Sequence, residues 1–200
     1  MRPKSARPEY TAAFSEIALR IAQPLGALPS RLLPVKMYVA GGAALHFYTG
    51  ERTSKDIDAA FSHRIALPED LEVSYRDADG AARLLYFDRQ YNDTFALMHE
   101  DAREDSLPLT LKGVDSAVLD VRLLSPVDLA VSKISRFSSQ DREDIAALAR
   151  HGLIRSSAVR ARAEEAVSGY VGNLDTLRTS IGLACRIIGD IERQKRDAGG

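Results

Sequence analysis

Two aspartates one residue apart, Asp56 and Asp58 in KDIDAAF, and two adjacent glycines, Gly41 and Gly42 in YVAGGAAL, are the residues whose types and spacing could do chemistry. Neighbouring carboxylates repel unless a cation sits between them. Mg²⁺ suits that place because it is hard, prefers oxygen and is commonly shared with substrate phosphates. Glycine lacks a Cβ, so its backbone can approach a phosphate closely. A strand–Gly–Gly–helix turn also aims free N–H groups at an anion. Together the pairs suggest a Mg²⁺-bound phosphate site and phosphoryl transfer, in which carboxylate-held metal ions clamp the attacking and leaving oxygens.

The elements that must position these residues are legible around them. KMYVA is β-branched and aromatic enough for a short buried strand. AALHFYTG reads as a short helix closed by Gly50, and the chain returns through DIDAAFS. Alternation there turns both aspartates outward and packs Ile57 inward. Upstream, Phe14, Ile17, Ile21 and Leu25 form one stripe of a helix over Tyr10–Leu25. Downstream, LEVSYRD and ARLLYFD flank the turn DADG as a hairpin, and TFALMH and AVLDVRLL are two more strand candidates. Ser125 and Pro126 then start a helix over SPVDLAVSKISRF. A second helix follows over SSQDREDIAALARHG, capped by Ser139 and stopped by Gly152. Two further helices complete the chain, the last carrying a stripe of Leu174, Leu177, Ile181, Ala184, Ile188 and Ile191. The layout is a mixed α/β domain over 1–124 followed by a helical domain over 125–200.

The chain has 200 residues, 45% hydrophobic and 28% charged, with a formal net charge of -1. That is the composition of a globular protein and demands no polyanionic partner, although local basic patches are compatible with it. No apolar run approaches the roughly 18 residues of a membrane span. MRPKSARPEY has no apolar stretch after its basic residues, so no secretory signal is expected and a cytoplasmic location is. The single cysteine, Cys185, lies in an apolar helical pattern and reads as a small buried hydrophobe.

GGAALHFYTGERTSKDID resembles the signature of the nucleotidyltransferase superfamily, and YTGERTSKDID is similar to the AbiEii and MenT-like toxin nucleotidyltransferases. In those families an arginine and a Ser/Thr precede the aspartates. A lysine lies on the helix after the sheet, and an Arg/Lys–Asp pair lies on the next helix. SPVDLAVSKISRFSSQDREDIAAL resembles that second half; Arg142 with Asp144, or Asp141 with Arg142, fits the pair. The resemblance covers about residues 36 to 154, and the whole chain most closely resembles uncharacterised bacterial members of the superfamily.

The resemblance implies an α/β (α+β) fold, with a nucleotidyltransferase-like mixed sheet, flanking helices and a C-terminal helical bundle. It implies that Gly41 and Gly42 hold the triphosphate, Asp56 and Asp58 hold Mg²⁺, Lys133 contacts the triphosphate, and Asp141 and Asp144 orient that lysine or the nucleotide. It further implies transfer of a nucleoside monophosphate (NMP) from a nucleoside triphosphate (NTP) to a hydroxyl on RNA or protein, with tRNA or another RNA as a candidate acceptor and an antitoxin protein as a candidate partner. The same core motifs serve a small-molecule, antibiotic-type nucleotidyltransferase. A catalytically incomplete nucleotide-binding protein is a third reading, because the third carboxylate of the family's metal site is not obvious. Asp120 in AVLDVRLL alternates correctly to supply it, and Glu100 and Asp101 are rivals. Ala43 stands where the family often has a serine hydroxyl.

Other polar residues have plainer readings. Arg52 is matched to a phosphate or to Asp56, whereas Lys55 points to the opposite face and Arg136 extends a basic rim. His46 reads as a packed or surface histidine and His99 as a lesser metal-site candidate, while His63 and His151 lie in a loop and at a helix end. Arg155, Arg160, Arg162, Arg178, Arg186 and Arg193 read as a solvated face, or as contacts to the backbone of a tRNA acceptor end.

Overall fold

The structure, a computed structural model, describes residues 6–92 and 96–198. The chain forms two compact units. The first comprises Met1–Tyr91 and Ser106–Leu123, and the second Asn92–Asp105 and Leu124–Gly200.

The first unit opens with α1 (Pro8–Leu25), which starts on a proline and buries Phe14, Ile17, Ile21 and Leu25. It packs over strands β4 (Glu72–Arg76) and β5 (Ala82–Phe87). Strand β1 (Val35–Val39) runs directly into α2 (Gly41–Thr49), whose last turn ends on Gly50 in the left-handed conformation. The helix therefore starts at Gly41 rather than after the glycine pair. DIDAAFS divides into two strands, β2 (Asp56–Ile57) and β3 (Ala59–Phe61), which join different sheets. One sheet has the order β3-β1-β7-β6, with β6 (Leu107–Pro108) and β7 (Leu119–Leu123). In it β1 is antiparallel to β3 and parallel to β7. The other has the order β2-β5-β4, and its β4–β5 pair is the expected hairpin. Asp58 is thus the residue at which the chain steps from one sheet to the other. The mixed sheets and flanking helices match the α+β class expected from the sequence.

TFALMH is not a strand where it is described. Thr94 and Phe95 lie outside the described residues, and Ala96–His99 is irregular before a 3₁₀ turn at Glu100–Ala102. Alternation over so few residues is a weak signal, and Leu97 is buried without a sheet partner.

The second unit contains α3 (Pro126–Ser132), α4 (Ser139–Arg150), α5 (Ser156–Ala166) and α6 (Leu174–Ala198). The Ser125 side chain caps α3 by accepting from the Asp128 N–H, and Pro126 takes the first helical position. The helix is shorter than its sequence suggests: it stops at Ser132, and Phe137 adopts a positive φ of 45° before α4 begins. The cap of α4 is Ser138, not Ser139. Its hydroxyl accepts from the Asp141 N–H while the Asp141 carboxylate accepts from the Ser138 N–H, a reciprocal capping box. On α6 the expected stripe buries Leu177, Ile181, Ala184 and Ile188 against α4 and α5, while Leu174 remains exposed. The stripe is therefore core of its own unit.

Candidate active site

In the first unit the glycines and aspartates of the motif meet at the start of α2. Gly41 has φ +58°, and a Cβ there would collide with the Asp58 carboxylate oxygen Oδ2. Only glycine satisfies both the backbone and this approach. At Gly42 a Cβ would stand 2.7 Å from Ser54 Oγ and 2.9 Å from Arg52 Nη2. The two glycines are thus floor positions against which Asp58, Ser54 and Arg52 close. The α2 N-cap, Ala40, offers no side-chain acceptor to the N–H groups of the first turn, so that turn keeps the polarity that attracts phosphate oxygens.

The aspartates arrive by pairing. The Ala40 N–H donates to the Asp58 carbonyl at 2.8 Å, extending the β1–β3 ladder by one residue. Asp56 lies in β2 beside Tyr86 of β5. Ile57 between them is fully buried and both aspartates are half-buried, as alternation predicts. Ser54 donates its hydroxyl proton to Asp56 Oδ1. Sequence reasoning gave Ser54 no role beyond its place in the motif. Its hydroxyl stands beside Gly42, where the resemblance leads to the expectation of a serine hydroxyl and the next residue is Ala43.

His46, on α2, is buried and held at both ring nitrogens. Its Nε2 accepts from the Arg7 N–H at 3.1 Å, so Nδ1 carries the proton and donates to the Arg52 carbonyl at 3.0 Å. Burial lowers its pKa from the ordinary 6.5, keeping the ring neutral. It braces the start of α1 to the loop that bears Arg52. The Tyr10 ring packs 4.5 Å from it, and the buried Tyr10 hydroxyl has no hydrogen-bond partner among the described residues. Burial, then the neighbouring Tyr75 and Asp56, raise the Tyr10 pKa and keep it protonated.

Asp120 does not join the pair. It lies on the face of β7 expected, but it pairs with Lys36, whereas Asp58 stands level with Ala40. Four residues of strand separate the two levels, about 13 Å at the usual rise per residue. Its carboxylate is engaged by Arg122 Nη1 at 3.1 Å, and Arg122 Nε also donates to Ser106 Oγ. Asp120 is therefore an anchor of the β6–β7 edge. Its position along β7 depends on the pairing partner and could not be read from alternation alone. Glu100 and Asp101 belong to the second unit, in the 3₁₀ turn after His99. His99 Nδ1 accepts from the Asp101 N–H, and Nε2 stands 3.4 Å from Glu165. Among the described residues, no group of three or more His, Cys, Asp or Glu side chains is placed to hold a metal ion.

The other motif residues form a cluster within the second unit. Lys133, the C-cap of α3, donates to Asp144 Oδ2 at 2.7 Å, and both side chains are buried. Gln140 donates to the other Asp144 oxygen at 2.9 Å. Asp144 is thus the residue that orients the lysine. Asp141 instead caps α4 and receives both Arg136 nitrogens, at 2.8 and 2.7 Å. Burial pushes its pKa up, but the bonds from Arg136 and Ser138 outweigh that and hold it at about 2. Arg142 lies over the Phe137 ring rather than on either aspartate. Cys185 is buried and its pKa is raised by that burial, as befits an inert thiol.

Among the described residues no helix is long and apolar enough to cross a membrane. No curated protein and no solved structure matches the chain. One family does match, described as "nucleotidyltransferase of unknown function (DUF6036)", and it spans residues 18–179, both motif clusters included. By that match, across most of its length, the chain belongs to this nucleotidyltransferase family.

Proposed function

We propose that the protein moves an NMP from an NTP to a hydroxyl acceptor in the cytoplasm, with Mg²⁺ held by Asp56 and Asp58. The observation that carries this reading is the closure of Gly41 and Gly42 directly against Asp58, Ser54 and Arg52 at the start of α2. The donor set fits Mg²⁺: two half-exposed carboxylates beside a phosphate-accepting turn would hold it, and substrate phosphates and water would supply its remaining oxygens. When bound, the ion supplies charge neutralisation on the phosphates and on the departing pyrophosphate.

The chain's own residues then have distinct tasks. Backbone N–H groups of the α2 start and the Arg52 guanidinium bind and orient the triphosphate. Ser54 fixes the rotamer of Asp56. The acceptor oxygen bonds to the α-phosphorus, the bridging α–β P–O bond breaks, and pyrophosphate leaves. The acceptor proton passes to a carboxylate of the pair. The resemblance assigns the role of a point charge for the triphosphate to Lys133, which Asp144 orients within the second unit. The order of motifs shared with AbiEii and MenT-like toxins supports an RNA acceptor such as tRNA, and a cognate antitoxin.

The displacement of Asp120 from the pair favours a second reading, in which the site binds a nucleotide without transferring it. One experiment separates the two. The purified chain is incubated with Mg²⁺, tRNA and each NTP labelled at the α-phosphate, beside Asp56→Ala/Asp58→Ala. Label on RNA that depends on both aspartates is the expected result. NTP binding by calorimetry with no label on any acceptor would overturn transfer in favour of binding alone.

A further inference from the structure

The second unit carries a cationic groove that the transfer chemistry does not use. It lies between α5 and α6, with a volume of about 430 Å³, and is lined by Arg160, Arg178 and Arg186 with Ser156, Thr179 and Gly182. We infer that this groove docks the phosphate backbone of an RNA, the acceptor class of the transfer proposed above, on which this inference rests.

Arg178, Gly182 and Arg186 follow one another at intervals of four on α6, so they share a face. The two guanidinium stems are about 12 Å apart along the helix axis at the usual rise. Arg160 faces them from α5. No acidic side chain lines the groove. Beside it, Glu164 stands 3.5 Å from Arg160 with both side chains exposed, a contact that competes weakly with a phosphate. Arg178 and Arg186 make no hydrogen bond or ion pair with any described residue. Other arginines of the same unit are engaged: Arg136 by Asp141, Arg150 by Glu143, Arg162 by Asp128 and Arg193 by Asp190. The groove thus concentrates unneutralised arginine on a chain whose formal charge is only -1.

Its chemistry narrows the ligand. A Cβ at Gly182 would meet nothing within 4 Å, so the floor between the two arginines is open. The Ser156 and Thr179 hydroxyl protons are already donated, to the Cys185 and Asp175 carbonyls. Guanidinium forks are therefore the charged donors the groove offers, and they match phosphate oxygens two at a time. No aromatic residue lines the groove, so bases have nothing to stack on. It should read backbone charge and not sequence.

The test measures binding of fluorescently labelled tRNA across a salt series for four proteins. These are the wild type, Arg178→Ala/Arg186→Ala, the charge-keeping Arg178→Lys/Arg186→Lys, and Arg31→Ala as an exposed arginine of the first unit. Thermal melts check that each is folded. Loss of two phosphate contacts should flatten the plot of log affinity against log salt by about 1.4 and weaken binding roughly tenfold at low salt. The lysine variant should keep most of the slope, Arg31→Ala all of it, and RNAs of unrelated sequence should bind alike. An unchanged slope in the double alanine variant overturns the inference, as does competition by polyglutamate at equal charge, which would assign the groove to an acidic protein. Label transfer measured on the same four proteins separates the two claims. RNA binding through the arginines without label transfer retains the groove and removes the transfer reading. Transfer to tRNA undiminished in the double alanine variant does the reverse.

Discussion

Asp58 and Gly41 define each other. The carboxylate occupies the space where any other residue at position 41 would place its Cβ, and the backbone there is already left-handed at φ +58°. Gly41→Ala therefore combines conformational strain with displacement of a proposed metal ligand. Gly80 provides a control, since it has φ +80° with nothing within 4 Å of a Cβ. Both substitutions should destabilise the fold through strain, by about 1–2 kcal/mol each, read as a lower melting temperature. Only Gly41→Ala should weaken nucleotide affinity in calorimetry and reduce transfer about 10²-fold, because it moves a group at the reacting centre. Wild-type affinity in Gly41→Ala would remove the glycine from the site. The pairing of these two residues was legible because a strand, a tight turn and an alternating DID are all local patterns. Ser54 and Asp120 were not legible in the same way. The first matters through a bond to Asp56 and a contact with Gly42, and the second is placed by a register between strands far apart in sequence.

Helix α4 shows how one element can serve both stability and the site. Its capping box fixes where the helix begins, and the first two turns then present Gln140 and Asp144 toward Lys133. The helix itself was plain in the sequence, but its cap was read one residue late. SSQ offers two serines, and only the one three residues before Asp141 can close the reciprocal box. The early end of α3 was hidden for a related reason, because apolar periodicity continues through Ile134 while the backbone has already turned. The cap makes a pH prediction. The folded-state pKa of Asp141 is held at about 2, below its ordinary 3.8. Its contribution is fully present above that ordinary value and is lost as pH falls from about 4 through 2. Asp141→Asn should cost about 1–2 kcal/mol at neutral pH and flatten the acid limb of the stability curve over that window. Denaturant melts at stepped pH would show it. An acid limb identical to that of the wild type would mean that Arg136 and Ser138 do not hold the carboxylate as charged.

At the scale of the whole chain, the division into two units does not follow a single cut. The sequence suggests one boundary near 124, and the chain does pass to the second unit there. It also makes an earlier excursion, in which Asn92–Asp105 belongs to the second unit before Ser106 returns to the first. Hydrophobic pattern cannot reveal such a detour, because Leu97 and Ala102 would be buried in either unit. Charged groups within the second unit anchor it. Arg162 on α5 donates to Asp128 at 2.7 Å and to Asp105 at 2.6 Å, while Asp128 also receives the Ser125 hydroxyl at 2.6 Å. The same helix brings Glu165 to His99. Asp128 is almost wholly buried and Asp105 is exposed, so the two acceptors contribute unequally. Removing Arg162 strands a buried carboxylate, which should cost about 3–5 kcal/mol, whereas Asp105→Asn weakens only an exposed pair and should cost under about 1 kcal/mol. Amide exchange distinguishes anchoring from general destabilisation. In Asp105→Asn the Ala102 and Asp105 amides, bonded to the His99 and Asp101 carbonyls, should exchange faster while the β1 and β7 amides keep wild-type protection. Equal loss of protection in both sets would mean that the excursion is held by the fold as a whole rather than by this arginine.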